Sequence, residues 1–155
     1  MFHSILHADD PPQRIALGAA IGMFFTFTPT FGFQMLLVVF AAWLLRANKV
    51  VGLPIVWISN PATMVFIYYP CYVVGLTLLG RKPINSEWWS GLRTPPAGWW
   101  PAVRFYWSQL LEVATPLWLG CLVVATCLSI PTYYLVYHVI RIHRLRREAR
   151  RSTPI

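Results

Sequence analysis

The sequence predicts an all-α integral membrane protein, on three observations. Charged residues make up 12% of the 155-residue chain and hydrophobic ones 57%, against about 25% charged in an ordinary soluble domain. Three stretches, 15–45, 50–80 and 113–140, hold no Asp, Glu, Lys or Arg. Each exceeds the roughly 20 helical residues that cross a hydrocarbon core of about 30 Å. Prolines interrupt all three. A small soluble fold would lack the polar surface to cover so much apolar area. The architecture expected is a proline-broken, re-entrant helical hairpin, two further transmembrane helices and an interfacial amphipathic helix. They form one membrane domain over 1–155.

The N-terminal segment, 1–14, closes on Asp9-Asp10-Pro11-Pro12, acidic residues and prolines that suit a first helical turn. His3 and His7 share a helical face near Asp9. A solvated amphipathic turn is the plain reading of that pair, and no metal site is expected. No cleavable signal peptide is expected either, because the first apolar run starts late, lasts too long and lacks a small-residue cleavage site.

Run 15–45 is interrupted at Thr28-Pro29-Thr30-Phe31-Gly32. Pro29 removes a backbone donor and Gly32 is flexible. About 13 residues remain on each side, or roughly 20 Å of helix, too short to span. Arg14 before the run and Arg46 and Lys49 after it favour a hairpin with both ends on one side; a single kinked helix is the alternative. Gly18 and Gly22 make a G-x-x-x-G that lets helices approach closely in lipid.

The link 46–49 is short and basic, and Asn48 suits a helix end. Run 50–80 repeats the pattern of a break. Ser59-Asn60-Pro61-Ala62-Thr63 offers Asn60 as an N-cap and Pro61 as a first helical residue, so a broken helix is followed by a span.

Residues 81–112 form an external loop carrying Trp88, Trp89, Trp99, Trp100 and Trp107. Tryptophan gathers at membrane interfaces. From Pro101 the pattern of Val103, Tyr106, Trp107, Leu110 and Leu111 against Arg104, Ser108 and Glu112 predicts the interfacial helix. An aromatic platform for carbohydrate is the sharper alternative. Run 113–140 is a span with a kink expected at Pro131. Leu17-Gly18 before Pro29-Thr30 and Leu119-Gly120 before Pro131-Thr132 hint at an internal repeat.

The tail 141–155 holds Arg141, Arg144, Arg146, Arg147, Arg150 and Arg151, which account for most of the net charge of +8. It follows an apolar run directly, so it is read as binding anionic lipid headgroups on the cytoplasmic leaflet rather than nucleic acid. With the C-terminus inside, nine basic residues lie inside (Arg14, Arg46, Lys49 and six tail arginines) and four outside (Arg81, Lys82, Arg93, Arg104), as the positive-inside rule asks.

No chemistry is visible. The runs contain no acid and no lysine, and His138 alone stands near an end. Hydrolase, zinc-protease and P-loop motifs are absent from the sequence. Cys71, Cys121 and Cys127 lie inside apolar runs without a C-x-x-C and read as packing residues. The chain is expected to be no enzyme, with no catalytic residues, no metal and no cofactor. Polar residues do gather at the breaks: Thr28, Pro29, Thr30 and Gln34 at one, Asn60, Pro61 and Thr63 at the other. Irregular backbone at membrane depth needs partners or a cavity, and broken helices form ligand sites in transporters. These seven are the candidate binding residues. Arg46, Asn48 and Lys49 are candidate headgroup contacts. The plainer reading is that the polar groups satisfy one another.

The set Pro12, Ala16-Leu17-Gly18, Gly22, Pro29, Gly32, Gln34, Arg46, Asn48, Asn60-Pro61 and Thr63, continued by Tyr68, Tyr69, Tyr72 and Gly75, resembles the bacterial "domain of unknown function 2062" membrane proteins (DUF2062). The likeness covers residues 12–80, and a final span with a basic tail fits the family's layout. Relatives often carry a further proline where Val65-Phe66 stand, so a straighter helix is expected here. The resemblance implies a bacterial inner membrane protein and assigns no activity. Two functions follow as expectations. One is small-solute or lipid transport or handling at the two breaks, with a homo-oligomer as the working unit. The other is a non-catalytic anchor or interaction module for a membrane-associated enzyme, since relatives are joined to glycosyltransferase-like domains.

Overall fold

Prolines and glycines set against long apolar runs decide where this chain starts and stops its helices, and a computed structural model shows each at work. It describes residues 10–30, 32–59, 62–84, 86–94 and 96–151. The helices are α1 (Pro12–Thr26), α2 (Gln34–Leu44), α3 (Lys49–Val56), α4 (Met64–Leu79), α5 (Ser86–Leu92) and α6 (Trp99–Arg151), with no strand among the described residues. Pro12 opens α1, where a missing N–H costs nothing, and the Pro11 carbonyl accepts from Arg14 N at 2.9 Å.

Run 15–45 folds back on itself. α1 ends at Thr26, Gly32 takes φ +80° in the turn, and α2 leaves from Gln34. α2 closes with paired bonds, Arg46 N to Trp43 O (3.3 Å) and Ala47 N to Ala42 O (2.8 Å). The left-handed position this closure requires is usually glycine; here Arg46 holds it at φ +52°. Asn48 N then donates to Arg14 O at 2.9 Å. The chain has therefore returned to the start of α1, and the two halves are a helical hairpin rather than one kinked helix. Ile21, Val38, Ala42, Ala47 and Val56 form its core.

α3 lies along α1. Asn48 Oδ1 caps it, accepting from Val50 N at 2.9 Å and Val51 N at 3.3 Å. The contact is backbone to backbone. A Cβ at Gly52 would sit 2.8 Å from Gly18 O, one at Gly18 would collide with the Asn48 carbonyl, and one at Gly22 with the Gly52 backbone. The Gly18–Gly22 pair thus admits α3 and its cap. α4 and α6 cross in the same manner: Gly75 faces the Pro116 carbonyl and Gly120 the Cys71 carbonyl, an antiparallel register.

One long helix replaces three expected segments. The boundaries at 112/113 and 140/141, which separated interfacial helix, span and tail, are not element boundaries; α6 runs through both for 53 residues, about 80 Å at 1.5 Å per residue. Nothing in the sequence stops it there. Pro116 and Pro131 lie inside it. Hydroxyls turn inward around them: Thr115, Thr126, Ser129 and Thr132 donate to carbonyls four residues back at 2.6–2.7 Å. Such bonds relieve polar groups that lipid leaves unmet. α6 packs on α4 through one part of its length and on α1 through another, where Val136 and Ile140 meet Ile15, Ala19 and Val51. α1 and α4 are so placed end to end along it. Leu17-Gly18 and Leu119-Gly120 both stand at crossings, but Pro29 lies in a turn and Pro131 inside a helix. Among the described residues, α6 is the one helix long and apolar enough to cross a membrane alone; α2 and α4 are shorter apolar helices.

Candidate functional site

Both breaks open toward the same place. Gln34, the first residue of α2, is buried at the hairpin turn. Its Nε2 donates to Thr28 O at 3.1 Å and to the Tyr68 hydroxyl at 3.0 Å. Its Oε1 accepts from Ser59 Oγ, in the second break, at 2.9 Å. The Tyr68 hydroxyl in turn lies 3.2 Å from Thr26 O and 3.1 Å from Thr28 O, to which it donates. Thr26 Oγ1 donates to Gly22 O (2.8 Å) and Ile55 O (3.1 Å), joining α1 to the end of α3. Thr28 Oγ1 donates back to Phe24 O at 2.9 Å. The carbonyls freed where α1 and α3 end are thus met by side chains. Tyr68 also borders a cluster with Cys71, Cys121 and Val124, so the polar knot lies beside the middle of the uncharged run of α6.

A second knot sits where α1, α3 and α6 meet. Asn48 Nδ2 donates to Asp10 Oδ2 at 2.8 Å, Arg14 pairs with Asp10 at 3.7 Å, and Arg144 donates to Asp10 O at 2.7 Å. Asn48 is buried, and its amide both caps α3 and holds Asp10. Arg46 and Lys49 are exposed at the same end.

The candidate binding residues separate accordingly. Thr28 and Gln34 belong to the first knot, and Pro29 lies in the turn beside it. Thr30 Oγ1 is buried with no hydrogen-bond partner among the described residues. Thr63 bridges the second break by donating to Ile58 O. Asn60 and Pro61 lie outside the described residues, as do His3, His7 and Asp9. Sequence reasoning passed over Ser59, Thr26 and Tyr68 as site residues. A hydroxyl deep in an apolar run needs a partner, which is the signal that could have found Tyr68.

The described side chains of the first knot are an amide, aliphatic hydroxyls and the Tyr68 phenol, which exchange hydrogen bonds with one another and with freed backbone carbonyls. Among the described residues no cluster of three His, Cys, Asp or Glu could hold a metal. The family model described as "Uncharacterized protein conserved in bacteria (DUF2062)" matches residues 1–149. No curated protein and no solved structure matches the chain.

Proposed function

The chain belongs to the bacterial DUF2062 family, and on that premise we propose that it is a non-catalytic, multi-pass protein of the bacterial inner membrane that handles lipid, with its C-terminus in the cytoplasm. One observation carries this reading: large apolar side chains cover the outside of the helices, while the buried polar side chains bond one another inside. Phe33, Leu36, Phe40, Trp43 and Leu44 stand outward from α2, and Val65, Phe66 and Tyr69 from α4, all more than half exposed. Water would penalise such faces at about 25 cal/mol per Å²; lipid would not. Close crossings at glycine are the packing that helices use where no hydrophobic drive holds them together. In this arrangement α1 and α2 re-enter from the cytoplasmic side, while α4 and α6 reach the other. Cations stand at both ends, Arg14, Arg46 and Lys49 at one and Arg81 and Lys82 at the other, at the levels where headgroups lie.

Lipid handling fits better than solute passage at the breaks, because the Gln34 knot uses its donors and acceptors internally; Thr30 Oγ1 is the feature that favours a bound solute there. A second reading is an anchor for a membrane-associated enzyme such as a glycosyltransferase, or for another copy of the chain. Its support is α6, which continues as basic helix past Arg144 and presents a rigid end to a partner. Fractionation tests the membrane reading. The protein should stay in the membrane pellet through alkaline carbonate, leave it only in detergent, and carry phospholipid through purification. Release by carbonate alone would overturn the proposal.

A further inference from the structure

A cavity of about 280 Å³ lies at the end of the molecule opposite Asn48, lined by Tyr72, Leu76, Arg81, Lys82, Trp88 and Glu112 among others. Arg81 is the first charged residue after run 50–80, and Glu112 the last before run 113–140. The cavity therefore opens at the level where two apolar runs end together. Its charges are mixed. Arg81 and Lys82 bring two cations to it and Glu112 one carboxylate, and among the described residues no ion pair joins them. Trp88 Nε1 donates to Glu112 Oε2 at 3.2 Å, which ties the carboxylate to the edge of the indole.

The geometry points to a binding site for a zwitterionic phosphoethanolamine group. Its phosphate would sit between the Arg81 guanidinium and the Lys82 ammonium, which supply charge-assisted hydrogen bonds. Its primary ammonium would donate to Glu112 and lie against the Trp88 ring, a cation–π contact. The two charges of the ligand are then held by opposite charges that the protein keeps apart. Drug-sized ligands occupy pockets from about 300 Å³ upward, so this space suits a headgroup. Beyond it on α4, Tyr69 and Val73 stand exposed, a surface along which acyl chains would run. A choline headgroup has no N–H for Glu112, and a glycerol headgroup carries no cation for it. The same chemistry could come from a lipid or from free O-phosphoethanolamine; the lipid source rests on the membrane reading above.

The test uses the full chain, purified in detergent and placed in phosphatidylcholine nanodiscs doped with phosphatidylethanolamine or phosphatidylglycerol. Lipid retained by the protein is counted by native mass spectrometry. Phosphatidylethanolamine should be retained roughly tenfold over the other two, the equivalent of one charge-assisted contact. Glu112→Gln should abolish its advantage over phosphatidylglycerol while phosphatidylglycerol retention persists, and Arg81→Gln with Lys82→Gln should reduce both. Circular dichroism identifies variants that keep their helix content. Retention that free O-phosphoethanolamine does not displace assigns the lipid source; binding of the free compound alone assigns the soluble one, and would stand even if carbonate released the protein from membranes. Equal retention of all three lipids with no binding of the free compound, or an undiminished preference in a folded Glu112→Gln protein, overturns the site.

Discussion

Gln34 touches three segments through one amide: the turn at Thr28, the second break at Ser59 and the helix α4 at Tyr68. Replacing it with Leu keeps the bulk and orphans those partners, at an expected cost of about 1–3 kcal/mol, read as a lower melting temperature in detergent. Tyr68→Phe removes only the hydroxyl and should cost about 1 kcal/mol. Because the two side chains bond each other, the double variant should lose less than the sum. If Gln34→Leu instead melts like the parent yet fails to rescue a deletion strain, the amide serves a ligand and not the fold. Gln34 was legible in the sequence, being a lone amide in an apolar run. Tyr68 was not, because Tyr68, Tyr69 and Tyr72 look alike and no spacing says which one turns inward. Arg46 gives a prediction of opposite sign. Its left-handed backbone strains any residue with a Cβ by about 1–2 kcal/mol, so Arg46→Gly should raise the melting temperature; a fall would mean that the guanidinium makes a contact worth more than the strain.

Helix crossings are decided by what a glycine leaves out. Gly75 and Gly120 let α4 and α6 meet backbone to backbone, and a Cβ at either would fall on a carbonyl oxygen. Neither helix can yield without dragging its neighbours. Gly120→Ala should therefore cost about 3 kcal/mol or more, the upper range for overfilling a packed contact. Gly91→Ala, where an added Cβ meets nothing within 4 Å, should stay within about 0.5 kcal/mol of the parent. Equal protease resistance and melting of the two variants would refute the crossing. The Gly18–Gly22 contact could be read from its spacing on one helix face. Gly52, Gly75 and Gly120 could not, since none has a second glycine four residues away to mark a face and each one's partner is far away in sequence. Continuity of α6 escaped for another reason. An amphipathic stretch, an apolar stretch and a basic one in succession look like three segments, because a change of solvent-facing pattern reads as an end even where the helix goes on.

At the scale of the whole molecule, the hairpin puts Arg14, Arg46 and Lys49 at one end with Arg144; α4 carries the chain to the other end and α6 brings it back. A reporter fused after Ile155 should therefore read cytoplasmic and one inserted near Pro95 external, by the same charge asymmetry that orients short loops. Both reporters on one side would show that α6 does not cross. The path of the chain also has a consequence in time. Residues 14–59 close on themselves as soon as they exist, for Asn48 finds Arg14 and Ser59 finds Gln34. The outer face of α1 does not. Ile15 and Ala19 are covered by Val136 and Ile140, which leave the ribosome more than a hundred residues later, at about 5–20 residues per second. For that interval the face of α1 must be covered by lipid or by a helper, and α6 is the element that relieves it.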